Sequence, residues 1–161
     1  MRLRQATPDD AAVVARFNTL MARETEHHVL DPPLILAGVT AVLTEPAKGV
    51  YFLAEIDGAP VGQLLITYEW SDWRNGNFWW LQSVYVQAEF RGRGVFKALF
   101  AHVRRLARTR PDVCGLRLYV EQGNARAKEV YQRLGMKPSG YDLLEWDFTR
   151  PVGTRNGCSA N

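Results

Sequence analysis

Cysteine is scarce in this chain: only Cys114 and Cys158 occur in 161 residues. One follows a predicted helix and the other lies in a polar stretch, which is no basis for a disulfide framework and points to a reducing compartment. Long apolar runs are missing as well. No stretch approaches the roughly 18 residues of a membrane span, and Met1-Arg2-Leu3-Arg4-Gln5-Ala6 lacks the apolar segment of a signal peptide. The expected location is cytoplasmic, with no membrane partner. Charge of one sign is not in large excess either, at 20 basic against 17 acidic residues. The basic residues are scattered rather than gathered into the stripe needed to track a phosphate backbone, so nucleic acid is not an indicated partner. Of three histidines, His27 and His28 sit beside Glu24 and Glu26, with Glu24 and His28 expected on one helical face. The second histidine of H-E-x-x-H and any cysteine cluster are lacking, so no metal is predicted. No repeat of 20–50 residues suggests a solenoid.

What is present is enough for one core. A hydrophobic fraction of 47% with 23% charged residues is ordinary for a globular chain, and the length suits a single domain, placed at residues 1–150. Residues 151–161 lack periodicity and apolar content and are expected to be a disordered tail or expression remnant. Thr7-Pro8-Asp9-Asp10 combines a hydroxyl N-cap, proline at N1 and carboxylates at the positive dipole end, which predicts a helix with Val13, Val14, Phe17, Leu20 and Met21 inward. Asp31-Pro32-Pro33 opens a second, with Ile35, Leu36, Val39, Val42 and Leu43 as its stripe.

Strands are expected at 50–56, 61–70 and 78–86. Asp57-Gly58 forms the first tight turn and Asn75-Gly76 the tip of the second, giving three antiparallel strands. A helix then carries Val95, Leu99, Val103 and Leu106 on one side and the solvated Arg104, Arg105 and Arg108 mainly on the other. Residues 113–120 return to strand. Asn124 caps a helix containing Ala127, Val130, Tyr131 and Leu134, which Gly135 ends in the left-handed conformation. A last strand pair is expected over 136–148. The class is mixed α/β.

The most informative stretch is Arg91-Gly92-Arg93-Gly94-Val95-Phe96, between a strand end and a helix start. Such a junction gathers backbone N–H groups at the positive end of a helix dipole, where an anion is stabilised. Gly92 and Gly94 let the backbone approach phosphate oxygens, and Arg91 and Arg93 can add charge-assisted bonds. Neither the nucleotide P-loop nor the dinucleotide G-x-G-x-x-G pattern is present.

Arg91-x-x-Gly94-x-Phe96 resembles the [Q/R]-x-x-G-x-[G/A] signature of the GNAT superfamily of N-acetyltransferases. Val84-Tyr85-Val86 precedes it, and Asn124-x-x-Ala127-x-x-x-Tyr131-x-x-Leu134-Gly135-Met136 follows after a strand. Phe96 departs from the usual glycine or alanine and is expected to turn toward the core beside Leu99 and Phe100, leaving its N–H toward the ligand. The resemblance covers about residues 1–150. It implies a central, mostly antiparallel sheet flanked by helices, and acetyl transfer from acetyl-coenzyme A to a primary amine, on a small molecule or a protein, by direct attack.

It also implies site residues. The backbone of Val84, Tyr85 and Val86 would pair with the pantetheine arm or contact the oxyanion, and residues Arg91, Gly92, Arg93, Gly94, Val95 and Phe96 would hold the pyrophosphate. Asn124 would lie near the pantetheine, and Tyr131 near the thioester sulfur as the general acid. On the residues alone, Asn124 reads first as a helix cap and Tyr131 as a core aromatic; the linked motif is what turns both toward the cofactor. Glu24 and Glu26 are the first candidates for the base, ahead of Glu69, Asp72 and Glu145. Cys114, with no activating neighbour, is expected in the core. Trp70, Trp73, Trp79 and Trp80 divide between the two sheet faces. Those outside the core, with Tyr68, Glu69 and Asp72, form either an acceptor pocket or a packing surface compatible with a homodimer. The alternative function is a non-catalytic acyl-coenzyme A-binding or sensing module.

Overall fold

A computed structural model describes residues 1–149 of the chain, apart from the Glu26 side chain; the expected tail, residues 151–161, lies outside the described residues. The described residues fall into two compact units, the first ending at Tyr119 and the second beginning at Val120.

The first unit is a five-stranded mixed sheet in sequence order, β1 (Arg2–Gln5), β2 (Val50–Ile56), β3 (Ala59–Ser71), β4 (Gly76–Val86) and β5 (Val113–Leu118). The first four strands pair antiparallel, and β5 runs parallel to β4. Helices α1 (Ala11–Glu26) and α2 (Pro32–Thr44) precede β2, and α3 (Val95–Arg108) joins β4 to β5.

The two sheet faces have separate cores. Val14, Ala15 and Val39 of α1 and α2 pack with Tyr51, Leu53 and Leu65. Phe52, which points the other way by strand alternation, meets His102 of α3 with ring centroids 5.3 Å apart. Val95, Leu99, Phe100, Val103 and Ala107 are the buried stripe of α3, while Arg104, Arg105 and Arg108 are exposed as expected. The Asp57-Gly58 turn adopts the predicted positive φ angles of 52° and 80°.

Four expectations are corrected in this unit. The chain opens with β1, which Arg-Leu-Arg-Gln hides because only one of its residues is apolar. Pairing with β2 supplies the backbone bonds, and Arg4 anchors it by reaching Glu55 at 2.6 Å and Asp10 at 2.7 and 2.8 Å. Thr7 is the N-cap as expected and forms a capping box with Asp10, whose carboxylate accepts the Thr7 N–H at 2.7 Å and its hydroxyl at 3.1 Å, but the first turn is not α-helical. A 3-10 turn over Pro8–Asp10 precedes the α-helix. Leu36 is exposed, since α2 buries little beyond Val39. Cys114 is exposed rather than in the core, on β5 at the edge of the sheet.

The second unit contains α4 (Ala125–Arg133), capped as expected by the Asn124 side-chain oxygen, which accepts the Ala127 N–H at 2.9 Å. Gly135, at φ 93°, closes it. The N–H groups of Gly135 and Met136 reach the carbonyls of Gln132 and Tyr131, the paired bonds of a Schellman end. The strand pair expected over 136–148 is not formed among the described residues. Tyr141, Leu143, Leu144, Trp146 and Phe148 are exposed there. Their β-forming character is not enough, because a strand exists only where a neighbour accepts its backbone bonds. No helix among the described residues is long and apolar enough to cross a membrane.

Candidate functional site

After β4 the chain makes a 3-10 turn over Ala88–Phe90, passes through Arg91 to Gly94, and enters α3 at Val95. Gly92 and Gly94 stand at φ 75° and 81°, in the left-handed region that disfavours any residue with a Cβ. A Cβ built on either would meet no protein atom within 4 Å, so the space over both is open. Gly94 is the N-cap of α3 and has no side chain to bond the N–H groups of the first turn, which leaves the helix's positive end facing this opening. Phe96 is half-buried, its ring 6.1 Å from that of Phe100, in keeping with the expected turn toward the core.

The strand leading to the loop is irregular. Gln63 pairs with Tyr85, but Leu65 pairs with Gln82, so Ser83 and Val84 together oppose one residue of β3. This is a β-bulge, and Ser83 sits in it at φ 46°. Registered pairing of β4 with β5 ends at Leu81 opposite Leu118. From Gln82 to Val86, therefore, β4 has neighbours along β3 but, among the described residues, no registered partner on its other edge.

The end of α1 reaches the same place. The Tyr85 hydroxyl donates to Glu24 at 3.0 Å, and the Arg91 guanidinium donates to the other Glu24 oxygen and, through Nε, to the Val86 carbonyl at 2.9 Å. Arg91 also lies 5.6 Å from the Tyr85 ring centre. The Arg91 hydrogen bond, helped by Tyr85 and opposed by burial, holds the Glu24 carboxyl below its ordinary range. Burial, reinforced by Glu24, pushes the Tyr85 phenol upward. Glu24, Tyr85 and Arg91, each expected at the site for separate reasons, thus form one hydrogen-bonded group, while the Glu26 side chain lies outside the described residues.

Residues 15–136 match the acetyltransferase (GNAT) family. The chain belongs to that family. It is 41% identical to a possible acetyltransferase from Clostridium difficile 630, covering 91% of this chain and 96% of that one with a TM-score of 0.86. A second solved structure, a probable acetyltransferase, is 24% identical over 91% of this chain and 99% of its own, with a TM-score of 0.80, a likeness of fold. The thialysine N-epsilon-acetyltransferase of Bos taurus is 33% identical over 101 residues, which is 58% of this chain and 56% of that protein. The GNAT chain thus spans little more than half the length of this curated relative.

GNAT acetyltransferases use acetyl-coenzyme A as co-substrate, and the donor set here fits its diphosphate. Two left-handed glycines open onto free space, a helix N-terminus lacks a side-chain cap, and Arg93 stands in the same loop with its guanidinium 5.4 Å from the Phe90 ring centre. Asn124 uses its side-chain oxygen as a helix cap. Tyr131 lies on α4, its phenol pushed above the ordinary value by burial.

The predicted aromatic and acidic group divides between the sheet faces. Glu69, on the α1 face, accepts from the indole N–H of Trp80 and from Arg117 at 2.6 Å. Burial pushes its carboxyl up, but these two bonds prevail and hold it below the usual range. Trp80 also packs on Tyr119 with ring centroids 4.3 Å apart. Tyr68 points to the opposite face and lines a hollow with Trp79, Arg110 and Asp112, while Trp70 and Trp73 are exposed. The helix ends at Glu26 with His27 left-handed, so Glu24 and His28 do not share a helical face. Among the described residues no group of three His, Cys, Asp or Glu is placed to hold a metal.

Sequence reasoning missed the Ser83 bulge and the buried amides of Gln63 and Asn18 beneath it. A signal existed for Gln63, the one polar side chain in the buried run from Val61 to Ile66.

Proposed function

We propose that this chain transfers acetyl from acetyl-coenzyme A to a primary amine of a small molecule or a protein. The observation that carries this reading is the outer edge of β4 beyond Leu81, which has no registered partner among the described residues and leads through one 3-10 turn into the glycine loop at the head of α3. In this reading the loop from Arg91 to Phe96 binds the diphosphate through backbone N–H groups. The backbone of Val84, Tyr85 and Val86 lies along the pantetheine arm by strand addition, and Asn124 bonds near that arm. Bound acetyl-coenzyme A supplies an activated thioester. An N–H of Val84 or Tyr85 is placed to donate to the oxygen on which charge develops.

Tyr131 is the proposed acid for the leaving thiolate; a phenol is protonated at neutral pH, and burial shifts this one further in the same direction. Glu24 and Glu26 are the proposed bases. Since Arg91 holds Glu24 low, it can accept the amine's proton only in passing, through one water, and return it to solvent. On the same sheet face, Glu69 between Trp80 and Arg117 is the proposed wall for a cationic acceptor.

The test is a thiol-release assay over a panel of amines. Thialysine comes first because of the bovine relative's name, followed by lysine, short diamines and peptide N-termini. Transfer to at least one amine is expected, with Tyr131→Phe slower by about a hundredfold or more. Coenzyme A binding without thiol release for any acceptor would overturn transfer and favour the binding or sensing module.

A further inference from the structure

Gln63 is fully buried in the middle of β3, with relative exposure 0%. Its Nε2 donates to Asn18 Oδ1 of α1 at 2.7 Å and to the Ser83 carbonyl of β4 at 3.3 Å, and Asn18 in turn donates to the Tyr51 hydroxyl at 3.0 Å. The Ser83 carbonyl can only accept, so the amide must present its nitrogen there. The Gln63 Oε1 has no hydrogen-bond partner among the described residues. A buried polar atom left in that state destabilises the fold, and an apolar side chain of similar size would avoid it. Packing alone therefore does not account for glutamine at this position.

Ser83 does account for it. The bulge interrupts the regular β3–β4 ladder and holds a non-glycine residue in the left-handed region. The amide of Gln63, from the strand directly alongside, supplies a donor to the carbonyl of that residue. The bulge lies one residue beyond Gln82, just past the end of the β5 register at Leu81.

We propose that Gln63 is a positioning residue that holds the Ser83 bulge and thereby aims the backbone of Val84 and Tyr85 at the bound thioester. The part concerning the thioester rests on the acetyltransferase reading above; the hold on the bulge does not. Gln63 touches no reacting atom and acts through the carbonyl of Ser83.

The experiment compares wild type with Gln63→Met, which keeps the length of the side chain and removes both donors. Amide hydrogen exchange should quicken by about tenfold or more across residues 82–85, while the middle of α3 keeps its protection and the melting temperature stays within a few degrees. With an acceptor that wild type uses, kcat/KM for acetyl-coenzyme A should fall by about tenfold or more. Binding of adenosine diphosphate, which lacks the pantetheine arm, should be unchanged. Should Gln63→Met fail to fold, Asn18→Ala removes the second anchor of the same amide and is expected to give smaller changes of the same kind. Unchanged exchange over residues 82–85 in a folded variant overturns the hold on the bulge. Faster exchange with kcat/KM unchanged overturns the positioning role. A wild type that binds no coenzyme A sinks the acetyltransferase reading and with it the thioester part, while the exchange comparison still decides the hold.

Discussion

Gly94→Ala separates what the loop costs the fold from what it does for a ligand. Alanine at φ 81° pays about 1 kcal/mol for the left-handed backbone, and nothing within 4 Å of the new methyl adds a clash. Gly58, in the β2–β3 turn at φ 80° and equally open, supplies a matched control. In a chain of this size both variants should melt about 2–4 °C below wild type. Their ligand behaviour should diverge, because the methyl on residue 94 enters the space where a phosphate oxygen would meet the head of α3. Losing one charge-assisted hydrogen bond there, worth about 1.5–3 kcal/mol, weakens coenzyme A binding roughly tenfold to a hundredfold. Gly58→Ala should bind as wild type does. Calorimetric titration with coenzyme A, run beside thermal melts, reads both quantities. Equal affinities for the two variants would refute the assignment of the loop to the diphosphate.

At the other end of the first unit, Arg4 holds the Asp10 carboxyl down from 3.8 to about 2, which corresponds to about 2 kcal/mol of stability. Because the folded value is the lower one, this contribution is complete above the unfolded pKa and is lost as pH falls toward the folded one. Asp10→Asn should therefore cost about 2 kcal/mol in urea melts at pH 7 and clearly less at pH 2.5, and an equal cost at both would refute the ion-pair account. Arg91→Ala releases Glu24, whose pKa should rise toward the ordinary carboxylate value. If Glu24 is the base, the acidic limb of the rate profile moves to higher pH in this variant; a limb that stays put while Glu24→Gln retains full rate would remove Glu24 from the mechanism.

The helices and the antiparallel strands β2 to β4 were legible because their signals are local. Proline after a capping residue, Asp57-Gly58, and the apolar spacing of α3 each work within a few residues. β1 was not legible, since Arg4 has value there only through Glu55 and Asp10, one of them 51 positions away. The segment 136–148 shows the converse error, in which β-forming residues suggest a strand without naming its partner.

The site divides along the same line. Gly92, Gly94 and the start of α3, the proposed phosphate cradle, are contiguous in sequence, so these residues could be named from spacing. The Ser83 bulge could not, because nothing about a serine between Gln82 and Val84 announces a positive φ. That conformation depends on an amide twenty positions earlier in sequence, which is itself oriented by Asn18 on α1. Glu24 was similarly named as a base on its position at the helix end, without the Arg91 and Tyr85 bonds that set its acidity. The loop's proposed role rests on its own backbone. The geometry of the neighbouring β4 edge, by contrast, is borrowed from α1 and β3, and so a substitution buried at Gln63 can change chemistry at a strand edge it does not touch.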